Sequence, residues 1–265
     1  MIDRPTPIFV VGSPRSGTTM MAAYLASEPS VINLGEFAAV YFTSYHAERE
    51  YKSVPTIYVA KIVETLQAAA ANLAQQIAEE QGAKYFVEST PWNLRIISTL
   101  CSHYPKAHFI LMLRHYRGAI QSMERSSAVI YRWAGPDDAT RAQTWASLYT
   151  LALDLPHDRT VAVSYDRLCT DPRSALHDLK QRLALHGLPN DHLLADALMV
   201  SHATSCPRPV LCSLSDEGEI EFHGRASYDA SSWTAQREIE TAVVCARVWE
   251  RLVALYGYCQ PVNAQ

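Results

Sequence analysis

The chain has 265 residues, 48% of them hydrophobic and 19% charged, enough to bury a full core as one large domain or two small ones. Its formal net charge of −4 is wrong for coating a nucleic acid, which takes a basic surface to neutralise phosphates, so any anion site must be positive only locally. No stretch approaches the ~20 apolar residues that span a bilayer, and the opening apolar run, residues 8–11, is far short of a signal-peptide core; a cytoplasmic protein with no membrane or nucleic-acid partner is expected.

In chain order, Pro7 to Val11 reads as a buried strand, Gly12 to Gly17 as a tight loop, and Thr18 to Ser27 as a helix with Met20, Met21, Tyr24 and Leu25 at helical spacing. Glu28-Pro-Ser30 breaks that helix, and a short apolar piece, Val31 to Leu34, runs into Gly35-Glu36. Residues 56–82 carry an Ala-rich and Gln-rich helical pattern that Gly82 closes. Lys84 to Glu88 reads as a short strand, Ser89-Thr-Pro-Trp-Asn93 as a loop, and about 93–103 as a helix stopped before Pro105. His108 to Leu113 is an almost continuous apolar run, the mark of a parallel strand covered on both faces, and it leads through Arg114 into a helix to about Met123.

Further on, residues 138–153 predict a helix, Thr160 to Ser164 a strand, 171–185 and 190–200 two more helices, and Trp233 to Tyr256 a closing amphipathic helix. Residues 203–233 lack periodicity and are expected to form an active-site flap or loop. Strands alternating with helices mean an α/β fold with a doubly wound, mainly parallel sheet flanked by helices. With no repeat and no break in composition, a single domain over 1–265 is expected. The cysteines at 101, 169, 206, 212, 245 and 259 show no Cys-x-x-Cys, and no histidine pair has metal-ligand spacing; reduced thiols and no metal are expected. Cys206 and Cys212 share a Pro-rich loop and are the pair to check first.

Gly12-Ser-Pro-Arg-Ser-Gly17-Thr18-Thr19 has the outline of the phosphate-binding loop G-x-x-x-x-G-K-[ST], with a strand entering and a helix leaving, but Thr18 stands where the lysine should be. Backbone N–H groups and the helix N-terminus can still cradle a phosphate. In nucleotide triphosphatases the lysine reaches the β and γ phosphates and the Ser/Thr holds Mg²⁺, so a kinase or NTPase is the weaker reading. Arg15, inside the loop, is the candidate cation for negative charge developing on a leaving oxygen.

Pro14 to Thr19 resembles the 5′-phosphosulfate-binding loop of the sulfotransferases that use 3′-phosphoadenosine 5′-phosphosulfate (PAPS). Its arginine form is similar to the tyrosylprotein branch and many bacterial members; the cytosolic steroid and phenol branch usually has lysine at the position of Arg15. The resemblance implies a P-loop-type fold, PAPS as donor with 3′,5′-ADP as product, and Arg15, Ser16, Gly17, Thr18 and Thr19 as donor contacts.

PAPS carries a 3′-phosphate, which calls for a second, separate anion site. Arg114 ends a strand, on the side of a parallel sheet where ligands lie, and Ser122 falls about two helical turns on. Phe109 to Met123 resembles the family's 3′-phosphate motif, a strand, an arginine, and a serine eight residues later. Arg117 is expected to be structural or solvated. Val161 to Pro172 resembles the family segment in which residues near the tyrosine, here Tyr165, approach the adenine. His223-Gly-Arg225 through Trp233 is similar to the late flap that closes on the 3′-phosphate, with Arg225 as its cation.

An attacking hydroxyl needs a general base. Glu36 matches the base of the tyrosylprotein branch by its spacing from Arg15, and burial near Tyr41, Phe42 and Trp92 is expected to raise its pKa. Glu88, His46 and His115 are the other candidates. Many relatives place a lysine near the 88–93 loop; Ser89 stands there, and Ser89 and Thr90 are candidate neutral donors. Tyr41, Phe42, Tyr45, Trp92, Tyr131 and Trp133 are candidate lining of an acceptor pocket. The acceptor is expected to be a phenol or alcohol on a small natural product, with a peptide tyrosine second. A P-loop kinase and a non-catalytic nucleotide-binding protein stay open as other readings, and so does a homodimer.

Overall fold

The computed structural model describes residues 4–45, 55–127, 134–189, 212–214, 220–222, 231 and 233–257. Its centre is a five-stranded parallel sheet built from β1 (Thr6–Gly12), β2 (Val31–Asn33), β3 (Tyr85–Glu88), β4 (His108–Leu113) and β5 (Thr160–Ser164), in the order β2-β3-β1-β4-β5. The chain winds from β1 toward one edge and from β4 toward the other, so the order reverses between β1 and β4. In open parallel sheets that reversal opens a crevice beyond the carboxyl ends of the two strands.

Alternation along the strands divides the core between the two faces. Phe9 and Val11 of β1 join Phe109, Leu111 and Leu113 of β4 in one cluster, while Ile8, Val10, Ile110 and Met112 join the other. Both sets are buried, which is why β4 reads as an unbroken apolar run. The first face is covered by α3 (Thr56–Glu80), α4 (Ile97–His103), α5 (Tyr116–Ser127), α6 (Asp138–Leu151) and α9 (Ala235–Tyr256), and the second by α1 (Thr18–Leu25), α7 (Tyr165–Thr170) and α8 (Pro172–Leu185).

The observed elements follow the sequence reading closely where periodicity is strong. β4 and β5 end where expected, and α3 stops just before Gly82, whose φ of 64° suits a helix terminus. Several elements were not anticipated. Residues 39–45 form α2 (Ala39–Tyr45), the Ser89–Asn93 loop passes into a 3₁₀ turn, Pro91–Ile96, and α7 starts directly at Tyr165, capped by the Ser164 hydroxyl, which accepts from the Arg167 N–H at 3.0 Å. Within the expected 203–233 loop, β6 (Cys212–Leu214) and β7 (Ile220–Phe222) pair antiparallel; Arg225 and Cys206 lie outside the described residues, as do His46, Tyr131, Trp133 and the helix expected at 190–200. Cys101, Cys169 and Cys245 are not joined in disulfides. Among the described residues, no helix is long and apolar enough to cross a membrane.

Candidate active site

A candidate site residue or loop lies at or just beyond the carboxyl end of each strand of the sheet. Across the sheet from β2 to β5 come the Glu36 loop, Glu88, the phosphate loop, Arg114 and Tyr165. The phosphate loop is therefore central, with the candidate base on one flank and the candidate 3′-phosphate residues on the other.

The loop itself is closed by its own atoms. The Ser16 N–H and hydroxyl both donate to the Ser13 carbonyl, at 3.1 and 2.6 Å, so the Ser16 side chain is turned into the loop. Arg15 has φ 68° and Gly17 has φ 92°, left-handed conformations that fold the backbone tightly. A Cβ on Gly12 would stand 2.7 Å from the Met112 carbonyl oxygen, which shows how closely the loop abuts β4. Gly17 is the N-cap of α1 and brings no side chain to cap it, and the first turn holds no acidic residue. The leading N–H groups of an uncapped helix, together with its dipole, favour an anion. Thr18 is buried there and Thr19 exposed.

Arg114 is 4% exposed. Its Nη1 donates to the Arg15 carbonyl at 2.6 Å, and its guanidinium lies 4.2 Å from the centre of the Tyr165 ring. Its Nε is buried and has no hydrogen-bond partner. Buried polar groups are nearly always satisfied, so the unmet Nε of this buried cation is a donor open to an anion.

The Arg114 backbone is fixed from α6. Its N–H donates to the Tyr149 hydroxyl at 3.2 Å, the Tyr149 hydroxyl donates to the Met112 carbonyl at 2.6 Å, and the Trp145 Nε1–H donates to the Arg114 carbonyl at 3.1 Å. Sequence reasoning missed both residues. Their only signal was a Trp and a Tyr four apart on one helix, and buried aromatics of these types generally find a hydrogen-bond partner.

Ser122, eight residues after Arg114, is 8% exposed and faces the loop, where the Arg15 Nε donates to its hydroxyl at 3.1 Å. The two motifs are thus joined in one site. Arg117 is structural, as expected: its Nε and Nη2 grip the two Glu238 oxygens at 2.8 and 2.7 Å, and this arginine is the chief reason the Glu238 pKa falls to about 2.

The carboxylates differ from expectation. Glu36 is exposed rather than buried, because its loop runs along the surface after β2. Tyr41 is buried and stacked at 5.4 Å on half-buried Tyr45, Trp92 is half-buried, and Phe42 is 54% exposed. Glu88 is the buried one, and desolvation lifts its pKa to about 7. His115 is half-buried against aromatic rings, 4.2 Å from Tyr116 and 5.0 Å from Trp249, and its pKa is lowered to about 4 chiefly by desolvation. Ser89 is buried with its hydroxyl unpaired, while the Thr90 hydroxyl is taken by Glu88.

The model of the sulfotransferase family matches residues 7–189. The chain belongs to that family. As a sulfotransferase-family member it is 27% identical over 194 residues to protein-tyrosine sulfotransferase 2 of Gallus gallus, covering 67% of this chain and 51% of that protein. It is 28% identical over 185 residues to protein-tyrosine sulfotransferase 1 of Danio rerio, covering 65% and 51%. The chain spans about half the length of these curated relatives. Among solved structures, the sulfotransferase domain of the Synechococcus PCC 7002 olefin synthase superposes with a TM-score of 0.56 at 20% identity over 98% of this chain and 97% of that one. The sulfotransferase domain of the curacin biosynthetic pathway gives 0.55 at 16% identity over 98% and 100%. These likenesses establish the P-loop-type sulfotransferase fold.

Proposed function

We propose that the chain transfers a sulfuryl group from PAPS to an acceptor hydroxyl, working in the cytoplasm as one domain. The observation that carries the reading is the joining of a lysine-free phosphate loop to the Arg114–Ser122 motif, through Arg15, over a buried arginine nitrogen that lacks a partner. The residues fit the donor: uncapped amides at the start of α1 for its 5′-phosphate, and Arg114 with Ser122 for its 3′-phosphate. When bound, PAPS supplies a sulfuryl group on a phosphate leaving group. Tyr165 packs its ring against the Arg114 guanidinium and would border the adenosine end.

In the transfer, Glu36 accepts the acceptor proton as the acceptor oxygen bonds to sulfur. Arg15 and the loop amides stabilise the bridging oxygen, which keeps the electron pair of the broken S–O bond, so that 3′,5′-ADP departs with the charge neutralised. The exposure of Glu36 suits a base that must meet an incoming acceptor; the hydroxyl-bearing substrate would complete its burial.

The acceptor is a phenol or alcohol of a small natural product. A peptide tyrosine is the second reading, and the relatives named protein-tyrosine sulfotransferases favour it. The test is a mass-resolved search for products from phenols, alcohols and tyrosine peptides, run in parallel with PAPS and with Mg²⁺–ATP. Sulfated product with PAPS alone is expected; phosphorylated product with ATP would mean a kinase instead.

A further inference from the structure

Glu88 ends β3, is 4% exposed, and has no part in the transfer described above. Burial raises its pKa to about 7, a value that suits a general base, but both oxygens are already engaged. Oε1 accepts from the Ala38 N–H at 3.2 Å, from the Thr90 N–H at 3.2 Å and from the Thr90 hydroxyl, and Oε2 accepts from the Asn93 side-chain amide. Three of these donors belong to the segment that follows Glu88 in the chain. The fourth comes from the loop that carries Glu36.

Ala38 is left-handed at φ 52°, an uncommon conformation for a residue other than glycine. Such outliers persist where the surroundings impose them, and they concentrate at functional sites. Ala38 is imposed on from two sides: its N–H is held by Glu88, and its carbonyl accepts from the Phe42 N–H at 2.8 Å to start α2. At the other end of the loop, the Gly35 carbonyl accepts from the Ser89 N–H at 2.9 Å. Glu36 is therefore strung between two tethers, both fastened to the end of β3.

We propose that Glu88 is the positioning residue of the acceptor side: through the Ala38 amide it fixes the Gly35–Ala38 loop, and with it the Glu36 carboxylate, beside the phosphate loop, and it takes no proton from the acceptor. The inference rests on Glu36 as the base named above. Without the Glu88 tether the Ala38 end keeps only its carbonyl bond to the Phe42 N–H, the loop gains freedom at that end, and a misplaced base slows the proton transfer without touching the donor site.

The test compares Glu88→Gln with Glu88→Leu. A glutamine carbonyl can accept from Ala38 and Thr90 as Oε1 does, and its amide can donate to Asn93 after that side chain rotates; the tether survives and the proton acceptor does not. Three quantities are measured: hydrogen exchange of the Ala38 amide, kcat and KM with PAPS and naphthol, and binding of 3′,5′-ADP. Glu88→Leu is expected to speed Ala38 exchange at least about tenfold and lower kcat about tenfold, leaving 3′,5′-ADP affinity unchanged. Glu88→Gln should stay within about threefold of the parent in all three. Unchanged Ala38 protection in Glu88→Leu overturns the proposal, as does a Glu88→Gln variant that loses as much turnover as Glu88→Leu. Should Glu88→Leu fail to fold, Glu88→Asp, too short to reach Ala38, replaces it with the same expectations. A parent protein that neither sulfates naphthol nor binds 3′,5′-ADP would refute the functional reading, while Ala38 exchange would still decide the tether.

Discussion

The Arg15 guanidinium donates through Nε to the Ser122 hydroxyl at 3.1 Å, across 107 positions of sequence. Two candidate anion sites that read as separate in the sequence therefore share a wall, with the Arg114 Nη1 bonded to the Arg15 carbonyl as a second link. The position of Arg15, the proposed leaving-group cation, thus depends on the residue that resembles a 3′-phosphate ligand.

Replacing Arg15 by alanine is expected to lower kcat by about 10²–10³, the range seen when one preorganised donor to a developing anion is lost. Arg15→Lys should recover part of it, since the charge remains and the planar geometry does not. Ser122→Ala removes one hydrogen bond on the order of 1 kcal/mol, and should raise the KM for PAPS several-fold. Initial-rate kinetics over a PAPS series check both.

Gly17 has no room for a side chain. A Cβ there would stand 2.6 Å from the Tyr165 Cδ2 and 3.0 Å from its Cε2, at φ 92°. Gly17→Ala should destabilise the fold by about 1–3 kcal/mol through clash and backbone strain and weaken 3′,5′-ADP binding. Gly187→Ala is the control, because nothing lies within 4 Å of that position at a comparable φ of 65°. Thermal melts of the two variants should differ by several degrees.

Tyr165 is wedged between Gly17 and Arg114. Tyr165→Phe keeps the ring under the guanidinium and should retain donor affinity. Tyr165→Leu loses a contact worth about 0.5–2 kcal/mol and should reduce the preference for 3′,5′-ADP over 5′-AMP. Titration calorimetry on both variants distinguishes them.

Stability should fall as pH rises through the Glu88 titration. Its pKa is about 7 in the fold against 4.5 ordinarily, so between these values the folded state binds more protons than the unfolded one. The contribution is fully present below about pH 4.5 and is lost by the time pH passes about 7, at most about 3 kcal/mol in all. Urea denaturation of the parent should show this slope, and Glu88→Gln should lack it.

Much of this was legible because the sheet is covered on both faces: unbroken apolar runs give β4 and β5 their ends, and so place Arg114. Gly17 and Arg15 were legible as a loop because strand and helix periods flank them. Ala39–Tyr45 was not, since its single buried face, Val40 and Tyr41, is too short to show a helical period. The Glu88 environment was hidden for a different reason. Its donor Ala38 lies 50 positions away, and neither alanine nor its φ leaves a trace in composition. Trp145 and Tyr149 were visible as helix residues, but their hold on Arg114 arises only from packing of α6 against β4. The expected burial of Glu36 failed because aromatic neighbours in sequence, Tyr41 above all, turn into the core and leave Glu36 outside.

In the proposed reaction, the donor is selected by recognition of its ribose 3′-phosphate by Arg114 and its neighbours. Calorimetric titration of the protein with 3′,5′-ADP and with 5′-AMP tests it most directly. Binding of 3′,5′-ADP at least about tenfold tighter, with the advantage abolished in Arg114→Met, is the predicted result; charged hydrogen bonds of about 1.5–3 kcal/mol account for that ratio. Equal affinity for the two nucleotides would contradict the account.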